Sequence, residues 1–246
     1  MKDFEVAVII PAAGTGQRMK SGQNKIWFSL NGRSLLNIVL DVFLSWENFS
    51  KIVLAVNEKE LSEVELFIKN NYPKSMEKLS IIKGGKDRQE SVANGLIFLA
   101  DWKGWSKQQR IVAIHDAARA LLTKDIIDRA IEACLEFRAV GVAVPVKDTI
   151  KLIDREGFVA NTPERATLWA VQTPQVFDFD LINSCHRKVA DLDKRFTDDC
   201  SIAEYCGYKV KLVEGSYENI KITTPEDLSL AEAIIRRRVN EDWTGI

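Results

Sequence analysis

Apolar and polar positions along the chain switch repeatedly between two periods. Val6 to Pro11, VAVIIP, is an unbroken apolar run rich in β-branched residues and stopped by proline. Such a run predicts a strand buried on both faces. Beyond it, Leu35, Leu36, Val39, Leu40 and Phe43 recur at intervals of three and four, the stripe of an amphipathic helix. The exchange then repeats. KIVLAVN (51–57) reads as a strand before the helical EKELSEVELFIKNNY, and LSIIKGG as a strand before DRQESVANGLIFLADW. RIVAIHDAAR precedes the helical TKDIIDRAIEACLEF, and VGVAVPV makes a fifth strand. Towards the end, FDLINSCHRKV and DDCSIAEYCG read as helices, YKVKLVEG as a strand and TTPEDLSLAEAIIRRRV as a closing helix.

Strands and helices in alternation with short connections predict an α/β fold, a mostly parallel twisted sheet with helices on both faces. No repeat, low-complexity tract or linker divides the chain, so residues 1–246 read as a single domain. The rhythm breaks between about Pro145 and Phe177. There VKDTIKLIDREGFVANT alternates on either side of Asp154-Arg155-Glu156-Gly157, a turn sequence with glycine at its last position. This predicts an inserted β-hairpin at about 146–172. A hairpin so poor in large apolar residues is marginal alone; a surface flap and an arm gripping a second subunit both account for it. The closing helix carries Thr224 as N-cap, Pro225 at its first position and Glu226 and Asp227 in its first turn. Arg236, Arg237 and Arg238 are read as helix-end charges that complement the dipole.

Composition narrows the class. The 246 residues are 46% hydrophobic and 28% charged, as in a globular protein, and the formal net charge is −1. That balance supplies no global field for nucleic acid or an anionic membrane. Cys134, Cys185, Cys200 and Cys206 form no CxxC pair, and only His115 and His186 are available to join them. A zinc site is not indicated; buried free thiols in a reducing cytoplasm are. Asp3 and Glu5 precede the first apolar run, which is too short for a signal peptide or a membrane span.

Candidate chemistry begins after the first strand. In such sheets ligands bind beyond the carboxyl ends of the strands. The loop there holds Gly14 and Gly16, where the backbone turns without a Cβ in the way, and then Arg18, Lys20 and Lys25 with no acid among them. Backbone N–H groups and cations together suit phosphate. Met19 stands where a GxGxxG dinucleotide loop needs glycine, and no Gly-Lys-Ser/Thr follows. A hydride-transfer enzyme and a P-loop kinase are therefore disfavoured. A second paired-glycine loop, Gly84-Gly85, leads to a helix start capped by Asp87. Asp116, at the end of a buried strand, needs a partner or a ligand, and Arg119 three residues on is a candidate partner.

The blocks PAAGTGQRM with Lys25, HDAAR (115–119), PVKDTIK (145–151), TPQVF (173–177), TDD (197–199) and ENIKIT (218–223) resemble, in order and spacing, the 2-C-methyl-D-erythritol 4-phosphate cytidylyltransferases. The resemblance covers nearly the whole chain. It implies a Rossmann-like nucleotidyltransferase fold and a reaction in which the acceptor phosphate attacks the α-phosphorus of CTP, releasing pyrophosphate, on the non-mevalonate route to isoprenoids. By resemblance Arg18, Lys25, Arg165 and Lys221 carry the chemistry. CTP is expected at Ala12, Ala13, Gly14, Thr15, Gly16, Gly84, Gly85, Ser91, Asp116 and Ala117. The acceptor is expected at Asp116, Arg119, Thr149, Arg165, Thr173, Thr197 and Lys221. Mg2+ is expected to be held mainly by the CTP phosphates. In the family Thr149 and Arg165 come from the partner's arm, so the resemblance favours a homodimer. The chain departs from the family pattern at Asn24 (usually proline), at Ile26 and Trp27 (usually glutamine and an aromatic) and at Ala120 (usually proline). Two other readings stay open: a cytidylyltransferase for another polyol phosphate such as ribitol 5-phosphate, and a nucleotide-binding protein without turnover.

Overall fold

The computed structural model describes residues 4–14, 24–46 and 48–244. Their strands are β1 (Phe4–Pro11), β2 (Ser29–Leu30), β3 (Arg33–Ser34), β4 (Phe49–Val56), β5 (Leu79–Lys83), β6 (Gln109–Ile114), β7 (Ala139–Pro145), β8 (Leu152–Ile153), β9 (Val159–Asn161), β10 (Trp169–Asp178) and β11 (Lys211–Glu214). The α-helices are α1 (Leu35–Ser45), α2 (Leu61–Asn71), α3 (Arg88–Asp101), α4 (Lys124–Phe137), α5 (Phe179–Val189), α6 (Asp199–Tyr205) and α7 (Pro225–Thr244).

Seven strands form one sheet in the order β11-β7-β10-β6-β1-β4-β5. Its contacts are parallel except for β10, which runs antiparallel between β6 and β7. β1 is an interior strand, with Val8 facing Ile52 of β4 on one side and Ala113 of β6 on the other. The two-residue period explains its unbroken apolar run. Val6, Val8 and Ile10 point into one core with α1, α2, α4 and α7. Ala7 and Ile9 point into a second core with α3, α5 and α6. Each face of the sheet is thus covered, which a mostly parallel sheet requires.

All five strands read from the chain up to Val146 are present, as are the helices between them. The inserted hairpin is β8–β9. Gly157 closes its turn at φ +90°, a conformation glycine adopts readily, with its N–H on the Asp154 carbonyl at 3.3 Å.

Three details differ from the sequence reading. β10 was not assigned as a strand, yet it is the antiparallel element that joins the two halves of the sheet. The strand expected in YKVKLVEG shortens to Lys211–Glu214, an exposed edge with β7 as its neighbour. The closing helix continues to Thr244, so the arginine triplet is not at its end. Arg237 and Arg238 instead pair with Glu218, and Arg238 also donates to the Leu121 carbonyl at 3.1 Å. These contacts fasten α7 to the segment that carries Lys221.

Candidate active site

The carboxyl ends of β1, β5 and β6 open onto a cleft of about 500 Å3. Its floor is the end of β1, where Ala12 donates its N–H to the Ala55 carbonyl at 2.7 Å. Ala12, Ala13 and Gly14 line the cleft. Thr15, Gly16 and Arg18 lie outside the described residues.

Asn24 also lines the cleft, as does Lys25 from a 3-10 turn, Lys25–Trp27. Asn24 holds a φ of −64°, the angle a proline ring would impose. Its side chain does the fastening a ring alone would not. Nδ2 donates to the Ala12 carbonyl at 2.9 Å and to Glu60 Oε2 at 2.7 Å, while Oδ1 accepts from the Ile26 N–H at 3.3 Å. Ile26 is buried in the core, and Trp27 meets Phe67 edge-on at 5.3 Å. The departures from the family pattern around Lys25 therefore anchor it.

The wall opposite is the start of α3. Asp87 is its N-cap, accepting from the Glu90 N–H at 2.9 Å. The Ser91 hydroxyl accepts from the Gly85 N–H at 3.0 Å and donates to the Asp87 carbonyl at 2.8 Å. That closes the loop Gly84–Ser91 on itself, with Gly85 and Ser91 on the cleft. Gly84 sits behind it, its N–H on the Val56 carbonyl at 2.7 Å. A Cβ there would come within 2.6 Å of the Ala13 Cβ, so only glycine lets this loop approach the first one.

Asp116, two residues past β6, is where the elements meet. Its Oδ1 accepts from Arg88 Nε at 2.8 Å and its Oδ2 lies 2.6 Å from Lys221 Nζ. Burial alone would raise its pKa. The Arg88 guanidinium, and Lys221 after it, override that and hold the carboxyl well below the usual range. The partner allowed by sequence, Arg119, turns elsewhere. Its Nη1 donates to the Asn219 carbonyl at 2.7 Å and its Nη2 to the Val171 carbonyl at 3.4 Å.

Behind Asp116 runs a buried relay. The Asp116 N–H donates to Thr173 Oγ1 at 3.1 Å, and the Thr173 hydroxyl is 3.1 Å from His115 Nδ1. His115 Nε2 is 3.0 Å from the Arg119 carbonyl, an acceptor only, so the proton belongs on Nε2 and Nδ1 accepts from Thr173. Lys221 arrives on a segment tied down by buried Asn219, whose Nδ2 donates to the Thr173 carbonyl at 2.9 Å, and by the Ile222 N–H on the Ala118 carbonyl at 2.8 Å.

The structure therefore brings Ala12, Ala13, Gly14, Lys25, Gly85, Ser91, Asp116, Ala117 and Lys221 to one cleft. Arg119 and Thr173 stand directly behind it, and the Thr173 hydroxyl is committed to the relay. Thr149 and Arg165 are not among the described residues lining this cleft; both lie in the segment inserted between β7 and β10. Arg165 borders a separate recess with Pro145, Glu164 and Trp169. Thr197 is exposed just before α6. Sequence reasoning missed Arg88 and Asn24. The signal for Arg88 was a cation at the first turn of a helix, where the dipole disfavours it.

Among the described residues no group of three or more His, Cys, Asp or Glu side chains is placed to cage a metal ion. The carboxylates among the described residues lining the cleft are Asp87 and Asp116, the first capping α3 and the second paired through both oxygens.

The family model for 2-C-methyl-D-erythritol 4-phosphate cytidylyltransferase matches residues 6–237. The chain belongs to this family. The cytidylyltransferase of Caldanaerobacter subterraneus subsp. tengcongensis is 43% identical over 95% of the chain and 100% of its own length. That of Halalkalibacterium halodurans is 43% identical over 96% and 99%. Among solved structures, the 4-diphosphocytidyl-2C-methyl-D-erythritol synthase of Anaerococcus prevotii superposes with a TM-score of 0.81 at 30% identity, covering 96% of this chain and all of that one. The Thermus thermophilus cytidylyltransferase gives 0.73 at 29%, covering 94% and 99%.

Proposed function

We propose that the protein transfers a cytidylyl group from CTP to 2-C-methyl-D-erythritol 4-phosphate, releasing pyrophosphate. The observation that carries this reading is the convergence of Lys25 and Lys221, from opposite ends of the chain, on a cleft walled by two glycine loops. Both reactants are anions and the attacking phosphate oxygen is already ionised, so the reaction requires no general base. It requires two repelling groups held in line and cover for the charge that builds on the triphosphate.

The parts divide accordingly. The β1 loop, with Arg18 and Lys25, takes the triphosphate. The Gly84–Gly85 loop takes the base, with Gly85 on the cleft and Gly84 seating the loop, helped by Ser91, whose hydroxyl keeps one unused lone pair for the cytosine amino group. Lys221, held by Asp116 and 44% exposed, takes the acceptor phosphate. Mg2+ would be held mainly by triphosphate oxygens, since Asp116 is paired through both of its oxygens and Asp87 caps α3 through Oδ1; when bound it neutralises phosphate charge.

The arm completes the site from a second copy of the chain, bringing Thr149 and Arg165. Ile153 and Phe158 on the arm are 66% and 68% exposed, an apolar surface that a partner would cover. A reducing cytoplasm suits the unpaired cysteines, three of them buried and Cys206 partly so. Among the described residues no helix is long and apolar enough to cross a membrane.

Pyrophosphate release with CTP and methylerythritol phosphate, run beside ribitol 5-phosphate, is the direct test. Turnover with the first acceptor at a kcat/KM far above the second is expected. Preference for ribitol phosphate, or no turnover with either in the presence of Mg2+, overturns the assignment.

A further inference from the structure

Arg88 is a cation of the described cleft lining that none of the sequence motifs accounts for. It occupies the first position of α3, where a positive charge opposes the helix dipole. It is kept there by two carboxylates from other parts of the chain. Nε meets Asp116 Oδ1 at 2.8 Å, and Nη1 lies 2.8 Å from Asp199 Oδ2, a group with no solvent exposure. Its third nitrogen, Nη2, is buried without a hydrogen-bond partner. Asp199 is itself fixed from the far side by His186 Nε2 at 3.0 Å, and its N–H donates to Gln175 Oε1 at 2.9 Å.

The guanidinium thus joins α3, the end of β6 and the start of α6 at one point. A planar fork can hold two carboxylates at fixed angles, which a lysine ammonium does less well. With Oδ1 of Asp116 taken by Arg88, only Oδ2 is left to receive Lys221, at 2.6 Å. The direction in which Lys221 presents its ammonium to the cleft is therefore set by a residue that need not touch the acceptor.

We propose that Arg88 is a positioning residue for the acceptor phosphate, acting through Asp116 on Lys221. The proposal rests on the functional reading above for the identity of the acceptor, but not for the geometry. It distinguishes the two substrates: the nucleotide is held chiefly by loop backbone and by the β1-loop cations, the acceptor by the group that Arg88 aims.

The test compares Arg88→Lys with the double variant Arg88→Gln/Asp199→Asn, which removes Arg88 together with the enclosed Asp199 carboxylate and leaves Asp116 its Lys221 partner. Melting temperatures check that each variant folds. In the double variant the KM for methylerythritol phosphate is expected to rise by about tenfold or more, the scale of a charged hydrogen bond, with the KM for CTP within about threefold. Arg88→Lys should fall between it and the wild type. A parallel rise in both KM values, or no rise in either, overturns the proposal. A readout independent of the acceptor is the side-chain carboxyl 13C resonance of Asp116, which faces Arg88 and Lys221 directly, with His115 and Arg119 nearby. It should move in the Arg88 variants; an unmoved resonance refutes the positioning role even if the wild type fails to turn over methylerythritol phosphate, a failure that by itself counts only against the functional reading.

Discussion

His115 shows what a buried residue beside a site can do without touching a ligand. Its ring is fully enclosed, and burial pushes its pKa down to about 4. The neutral ring accepts from Thr173 and donates to the Arg119 carbonyl, so a second proton would put a donor against a donor. The sign of the pH effect follows from linkage. In the unfolded chain the imidazole binds a proton near its ordinary value of 6.5, while in the folded chain it resists until about 4. Its contribution is therefore fully present above about pH 6.5 and is lost as pH falls towards 4, by about 3 kcal/mol in all. Asp116 and Asp199, both held below the ordinary carboxylate range, begin to release stability only at lower pH. Urea unfolding between pH 7 and 5 should show a falling free energy in the wild type and a flatter profile in His115→Gln. Equal slopes for the two proteins would remove His115 from the acid sensitivity of the fold.

At the scale of elements, α3 is the part of the scaffold on which the site depends most. It carries Arg88 and Ser91 at its start, and it reaches the sheet through Gly95, where a Cβ would lie 2.7 Å from Ile9 Cγ2. Gly95→Ala would usually favour a helix. Here it must push α3 away from β1, so a net loss of about 1–3 kcal/mol is expected together with a raised KM for CTP. A melting temperature at or above that of the wild type would contradict the close approach. The same elements show what could be read from the chain beforehand. Strands such as Val6–Pro11 and Lys51–Asn57 were legible because a sheet buried on both faces demands unbroken apolar runs, and the helices because one side of each must stay polar. β10 was not, because its first residues are exposed, proline and a register shift interrupt it near Pro174, and its neighbours in space lie far off in sequence. The site was legible in its glycines, in Lys25 and in Lys221. The partner of Asp116 was not: Arg88 lies 28 residues away, and only the packing of α3 against β1 brings the two together.

For the whole molecule, the question is whether one chain can make a complete site. Arg165 stands on the arm side of the fold, where its Nη1 donates to the Lys147 carbonyl at 3.2 Å, and it does not border the cleft that holds Lys221. A site needing both groups must take them from two chains or move the arm. Complementation separates these. Lys221→Ala and Arg165→Ala should each be nearly inactive alone. When the two are mixed in equal amounts and allowed to exchange subunits, half of the dimers carry one mutation on each chain. In each of these, one site combines both defects while the other pairs an intact cleft with an intact arm. Activity of about a quarter of the wild-type value is then expected from a two-fold dimer with exchanged arms. If the arm folds back onto its own chain, every site in the mixture keeps a defect and mixing restores nothing. Sedimentation supplies the companion measurement: Phe158→Asp places a charge on the apolar arm and should shift the protein towards monomer, with turnover falling in step. A variant that became monomeric while keeping its turnover would show that the arm serves assembly alone and that Arg165 acts, if at all, within its own chain.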